Sequence, residues 1–410
     1  MQNEHTLTKN IFNATVLISA LGYFVDIYDL ILFGIVRVPS LKALGISGDG
    51  LVTTGLLLLQ VQMAGMLIGG IIFGIWGDKK GRLSVLFGSI AVYSIANIAN
   101  AFVNSVEMYA FLRFIAGVGL AGELGAAVTL VSEVMTKETR GYGTAIVASI
   151  GVSGAIFGAI IGDVFDWQVA YITGGILGFI LLIARLKMFE SGMYTSLKTA
   201  TVGKGKFLSL FTSKDRFLRY LYCILVGLPI WYVVGVLITF SPEFGKLLGV
   251  TEPVKAGNSI LFTYAGLIFG DFASGFLSQY LKSRKKIYVI FISLTAFFVL
   301  FYLFVTGLSL TMFYALCVLL GVSIGYWAVF VTTGAEQFGT NLRSTVTTTV
   351  PNFIRGTVVP ISLAFEFLRD YAGMVYSALI VGVICIAVAF WALYHLEETY
   401  GKDLNYYENI

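Results

Sequence analysis

The chain has 410 residues, 57% of them hydrophobic and only 12% charged, with a net charge of +4. Soluble domains carry about 25% charged residues, and a water-soluble fold cannot hide this much apolar side chain. The composition therefore excludes a soluble globular protein, and so small and dispersed a positive charge implies no nucleic-acid partner.

The apolar runs are continuous rather than alternating every second residue, which favours spanning helices over a β-barrel. The polar segment 1–9 lacks the pattern of a cleavable signal and leads into runs at 11–36, 49–76, 84–104, 107–134, 142–163 and 168–189. The longest polar stretch, 190–216, contains Lys198, Lys204, Lys206, Lys214 and Arg216, with Gly203 and Gly205 as flexible points. Six further runs follow at 217–241, 256–281, 287–307, 309–335, 344–368 and 371–396. The expectation is an all-α membrane protein with twelve transmembrane helices in two pseudo-symmetric six-helix bundles, 1–189 and 217–410, joined by a linker at 190–216.

The chain has 27 Lys and Arg residues. With both termini on one side, that side collects 20 of them, and the opposite side five: Arg37, Lys42, Lys246, Lys255 and Arg369. Positive residues stay cytoplasmic, so both termini and the linker are expected inside the cell (inner) membrane. The remaining two, Arg113 and Arg355, fall within spans.

The halves echo each other. Gly122 is followed by Glu133 at eleven residues and Arg140 at seven more; Gly325, Glu336 and Arg343 repeat both spacings in the tenth span. Between the second and third spans lies a charged turn, Gly74-Ile75-Trp76-Gly77-Asp78-Lys79-Lys80-Gly81-Arg82. A weaker copy follows the eighth span, Gly275-Phe276-Leu277-Ser278-Gln279-Tyr280-Leu281-Lys282-Ser283-Arg284-Lys285, with Gln279 in place of the aspartate. Two matches in register argue for duplication.

A charge at mid-bilayer costs at least about 2.5–3.5 kcal/mol, so it faces a cavity or a partner. The candidates are Asp26, Asp29, Arg113, Glu123, Asp271 and Arg355. Asp26 and Asp29 share one helix face. Asp29 and Arg113 lie at matched depth, roughly 10 Å from the same face, and are expected to pair. Asp26 or Glu123 is then the less satisfied carboxylate and a candidate proton carrier; the alternative is a fixed salt-bridge network that locks the helices. Arg355 lies between Pro351 and Pro360 with Gly356 beside it, a stretch that loosens the helix. Its guanidinium suits bidentate carboxylate binding, as an anion anchor or gate, or else pairs with Asp271. Tyr23, Tyr28, Trp231, Tyr232, Tyr326 and Trp327 fall on the first, seventh and tenth spans. Each alone reads as packing; together they suit a cavity for an organic solute.

His5 and His395 lie outside the span centres, which disfavours a histidine relay, and Cys223, Cys317 and Cys385 read as buried structural thiols rather than a metal or disulfide set.

The turn G-x-x-x-D-[RK]-x-G-R at Gly74–Arg82 resembles the signature loop of the major facilitator superfamily of transporters. That resemblance implies two six-helix halves that rock around a central substrate site. It also implies a latch on the cytoplasmic side, formed by Gly74, Asp78, Gly81 and Arg82 with Glu133 and Arg140, and echoed by Glu336 and Arg343. Asp26-Ile27-Tyr28-Asp29, and Arg113 with Gly117, Gly119, Gly122 and Glu123, resemble the metabolite–proton and aromatic-acid–proton symporters, although Ile27 replaces the usual glycine. The implied function is proton-coupled symport of a small organic acid or amino acid by a monomer, without cofactor or metal. Asp26, Asp29 and Glu123 are the proton-coupling candidates; Tyr23, Asp26, Arg113, Trp231, Tyr326, Trp327 and Arg355 are the substrate-binding candidates. The competing readings are an uncoupled facilitator or exporter, of a metal or an amphipathic solute among others, and more remotely a membrane-embedded enzyme or receptor.

Overall fold

The computed structural model describes residues 14–80, 82–123, 125, 140–190, 207–402 and 408. Within them the first half comprises α1 (Ala14–Ala43), α2 (Gly50–Lys80), α3 (Arg82–Asn100), α4 (Val106–Leu120), α5 (Arg140–Val164) and α6 (Trp167–Glu190). The second comprises α7 (Lys214–Ile238), α8 (Ala256–Tyr280), α9 (Arg284–Phe304), α10 (Leu310–Glu336), α11 (Thr340–Gly356) and α12 (Val358–His395). A short helix, Ser241–Leu247, links α7 to α8.

α12 has 38 residues, which at 1.5 Å each is almost twice a bilayer core. It breaks at Gly373, where φ is 71°, a value that suits only a residue without a β-carbon. The part before Gly373 completes the eleventh crossing and the part after it makes the twelfth. The interruption between α11 and α12 has a local cause. Pro360 gives no N–H to the carbonyl four residues back, at Gly356, and its ring crowds that carbonyl. The expected loosening between Pro351 and Pro360 thus falls at Gly356–Thr357.

The tenth crossing, expected to be continuous, is in two segments, Leu310–Ile324 and Trp327–Glu336, parted at Gly325 and Tyr326. The seventh contains Pro229 at the start of its second segment and a π-helical turn, Val233–Ile238. There the Thr239 N–H reaches the Val234 carbonyl five residues back at 3.2 Å.

The same pairs pack in both halves: α2 on α4 and α8 on α10, α3 on α4 and α9 on α10, α3 on α6 and α9 on α12. The repeat extends to helix starts. Ser105 caps α4 by accepting the Met108 N–H at 3.2 Å, and Ser309 caps α10 by accepting the Met312 N–H at 3.3 Å. The glycines at Gly151, Gly154, Gly158 and Gly162 let α5 lie directly along α1, since β-carbons there would enter the Tyr23 ring, the Phe24 carbonyl, and the Tyr28 and Ile35 side chains. Across the halves α5 meets α8, and α2 meets α11 and α12. Large apolar side chains such as Phe269 and Phe276 (each 71% exposed) cover the outer surface, as a lipid solvent requires. Cys223, Cys317 and Cys385 are buried and unpaired.

Two residues counted as loop charges lie elsewhere. Arg37 is fully buried near the end of α1, and Arg185 is buried within α6. α1 runs seven residues beyond its apolar run, and each arginine meets a carboxylate, Glu243 or Glu123.

Candidate substrate site between the halves

Asp26 of α1 and Arg355 of α11 meet at the boundary of the halves. The Arg355 Nη2 donates to Asp26 Oδ2 at 3.5 Å, and neither side chain has any exposure. Asp26 lies about 20 Å from the start of α1, close to mid-helix. The contact is long, and it leaves Asp26 Oδ1 and Arg355 Nε and Nη1 without hydrogen-bond partners. Trp231 and Trp327 flank the guanidinium, each ring centroid 6.0 Å from its carbon, and cross each other in a T at 6.5 Å. The Trp231 indole N–H is also unpartnered. Buried polar groups are normally satisfied, so this cluster of spare donors beside two aromatic faces is suited to a planar carboxylate.

Of Asp26 and Glu123, either of which the sequence offered as the less satisfied carboxylate, Glu123 is paired. Arg185 grips it from α6, with Nη1 donating to Oε2 at 3.0 Å and Nη2 to Oε1 more closely. Gly22 of α1 leaves the room, since a β-carbon there would strike both partners. Sequence could have flagged Arg185 only as the first charged residue within the sixth apolar run, 168–189.

The expected Asp29–Arg113 ion pair is not made. Neither Asp29 oxygen and none of the Arg113 guanidinium nitrogens has a hydrogen-bond partner. Asp29 sits against Gly174 and Tyr28, while the Arg113 guanidinium lies over Phe33 and Tyr171 at 5.5 and 5.7 Å. Both lie in the first half, but helix rotation points them at different neighbours.

Asp271 does not take Arg355. Its Oδ1 accepts the Ala328 N–H at 3.0 Å, at the start of the second segment of α10. Three of the candidate aromatics tie helices together instead of facing Arg355. Tyr28 donates to the Ala170 carbonyl at 2.7 Å, Tyr232 to Ala378 at 2.6 Å and Tyr326 to Val226 at 3.1 Å. Tyr23 is buried against α5 at Gly151.

On the face where α12 ends, Glu336 receives Arg284 at 2.9 and 3.2 Å and the Thr399 hydroxyl at 2.7 Å. Arg343 instead bonds the Ala335 and Phe338 carbonyls at 3.0 and 3.2 Å. Arg284 belongs to the weaker copy of the charged turn, which was the signal for it. Gly74 faces Thr349 of α11. Gly81 and Glu133 lie outside the described residues, as do the side chains of Asp78, Arg82 and Arg140. On the opposite face three ion pairs join the halves: Arg37–Glu243 at 2.7 Å, Lys255–Asp163 at 2.6 Å and Arg369–Asp49 at 3.2 Å. Among the described residues no group of three or more His, Cys, Asp or Glu could hold a metal ion.

Twelve crossing helices among the described residues, in two matched halves with a polar cluster between them, define a membrane transporter. The chain matches the Major Facilitator Superfamily over residues 19–355 and belongs to that family. It is 28% identical to a putative niacin/nicotinamide transporter of Bacillus subtilis, over 80% of this chain and 82% of that one. It is 24% identical to a gentisate transporter of Corynebacterium glutamicum, over 95% and 89%. The crystal structure of a D-xylose–proton symporter superposes with a TM-score of 0.69 at 14% identity, covering 95% of this chain and 99% of that one, which establishes the fold. The protein is a multi-pass transporter of small molecules and not an enzyme.

Proposed function

We propose that the protein is a proton-coupled symporter of small organic acids, and that a planar, aromatic monocarboxylate is the substrate class. The observation that carries the reading is the under-satisfied Asp26–Arg355 pair between two tryptophans. A substrate carboxylate has the charge and shape to occupy the free edge of Arg355. It would then displace Asp26, and a buried carboxylate without its cation is costly unless it is neutral. Substrate and proton therefore enter together, one on Arg355 and one on Asp26, and the buried net charge is unchanged. The relatives' niacin/nicotinamide and gentisate names agree with a ring-bearing cargo.

Asp29, whose oxygens have no partner, is the second candidate proton site; Glu123, held by Arg185, has a positioning role. Tyr23 and Arg113 are the substrate-contact candidates of the first half, and Tyr326 supports the site from the second. The chain divides into bundles at 1–189 and 217–410 around a linker at 190–216, works as a monomer and keeps both termini in the cytoplasm. The face with the three bridging ion pairs is then extracellular. Asp78, Gly81, Arg82, Glu133 and Arg140, with Gly74, Glu336 and Arg343, form the cytoplasmic latch.

The test is uptake of radiolabelled benzoate and nicotinate into proteoliposomes. An inward proton gradient should drive accumulation by the native protein, whereas Asp26→Asn should exchange substrate without concentrating it. Accumulation by Asp26→Asn equal to the native protein would remove Asp26 from the coupling step, and native uptake indifferent to the gradient would make the protein a facilitator.

A further inference from the structure

We propose that Asp271 is a positioning residue of the substrate site: it holds the broken end of α10 so that Trp327 stays against Arg355. The proposal rests on the reading of Arg355 as the carboxylate anchor.

The argument starts from two glycines. α8 and α10 touch backbone to backbone at Gly270 and Gly325; a β-carbon on either would fall inside the other helix. That approach places Asp271, the next residue of α8, beside the gap in α10. The segment that begins there opens with Trp327 and runs to Glu336, and Tyr326 before it supplies no side-chain cap. The first N–H groups of a helix have no acceptor within the helix. Asp271 supplies one, from another helix, at the Ala328 N–H. A carboxylate is favoured there both as a hydrogen-bond acceptor and as a negative charge at the positive end of the helix.

Trp327 is the first residue of that segment, so whatever fixes the start of the helix aims its side chain. The indole stacks on Phe330 at 5.3 Å, crosses Trp231 at 6.5 Å and flanks the Arg355 guanidinium at 6.0 Å. Among the described residues no Lys or Arg forms an ion pair with Asp271. A carboxylate within the bilayer is costly without a cation, and the helix start is the compensation the fold provides. The device is confined to the second half. The residue that follows the corresponding contact glycine of α2, Gly69, is Gly70, and it faces Asn352 of α11.

The experiment uses the full-length protein in nanodiscs with Trp76, Trp167 and Trp391 replaced by Phe. That leaves the Trp231–Trp327 pair, whose exciton couplet in circular dichroism reports their relative orientation without any ligand. Asp271→Leu and the smaller Asp271→Ala should lose the couplet, and both should raise the benzoate KM about tenfold while the maximal exchange rate changes little. Asp271→Asn keeps an acceptor oxygen and should retain the couplet, with a KM within about twofold of the parent. A couplet unchanged in Asp271→Ala, or lost equally in Asp271→Asn, overturns the proposal. Arg355→Gln serves as the control for the underlying reading. If that variant binds benzoate like its parent, the anchor assignment fails, and the couplet still decides Asp271 alone.

Discussion

Asp26 of α1 and Arg355 of α11, 329 residues apart, form a 3.5 Å ion pair across the boundary of the two halves with no exposure of either side chain. Two of the three guanidinium nitrogens remain without a partner, so the pair resembles a site awaiting an anion more than a lock. Arg355→Lys tests this distinction. Lysine keeps the charge for Asp26 but loses the planar fork and the stacking on Trp231 and Trp327. Because the buried charge stays paired, we expect little change in thermal stability, whereas the KM for benzoate rises at least about tenfold in exchange assays. A lysine variant with native KM would mean that Arg355 contributes only charge.

The Glu123–Arg185 pair is expected to act as a structural tie between the end of the α4 crossing, just past Leu120, and α6. Removing one partner of a buried pair leaves an uncompensated charge, at a cost of about 3–5 kcal/mol. Glu123→Gln and Arg185→Gln should each lower the melting temperature in detergent, and Glu123→Gln with Arg185→Met should recover most of the loss. If Glu123→Gln melts with the native protein yet loses proton-driven uptake, Glu123 is a coupling residue after all.

Arg37 is the most buried cation of the three bridges on the face opposite the end of α12. Besides Glu243, it donates to the Leu51 carbonyl at 2.8 Å and the Thr239 carbonyl at 3.3 Å and lies 4.4 Å from the Phe240 ring centroid. Glu243→Gln should weaken closure of this face by about 1.5–3 kcal/mol, which raises the open population roughly tenfold or more. The readout is labelling of Leu56→Cys, buried in α2, by an impermeant maleimide in a background without Cys223, Cys317 and Cys385. Unchanged labelling would assign closure to the packed helices rather than to this ion pair.

The segment after α12 returns to the start of α9. Burial alone would raise the Glu398 carboxyl, but the Ser283 hydroxyl and the N–H groups of Arg284, Tyr400 and Lys285 together hold it below the ordinary glutamate value. The lowered value fixes the sign. The contact is fully stabilising above the unfolded-state value of about 4.3 and is lost as pH falls through the folded-state value. Hydrogen exchange of the Arg284 and Lys285 amides should therefore accelerate on acidification beyond the intrinsic trend. Glu398→Gln should show faster exchange at neutral pH and no acid step.

The amino-acid sequence determined the crossings. Each depends on a local run of apolar residues long enough for the bilayer, and the turns depend on local Gly, Pro and charge, so no distant partner is needed to read them. The charged turn at Gly74–Arg82 and the matched spacings to Glu336 and Arg343 likewise identify the family and its duplication, because a repeat is a property of order alone. Even the interruption at Gly356 follows from Pro360 four residues on.

The tertiary structure alone decided which buried charges meet. Depth can be counted along a helix, and it suggested an Asp29–Arg113 pair that the structure does not make. Rotation about the helix axis and the choice of neighbour cannot be counted, because both are set by how glycine faces such as Gly151–Gly162 and Gly270–Gly325 let particular helices approach. Those approaches give Arg355 to Asp26 rather than Asp271, Arg185 to Glu123, and Asp271 to the start of a helix that the sequence did not show to be broken.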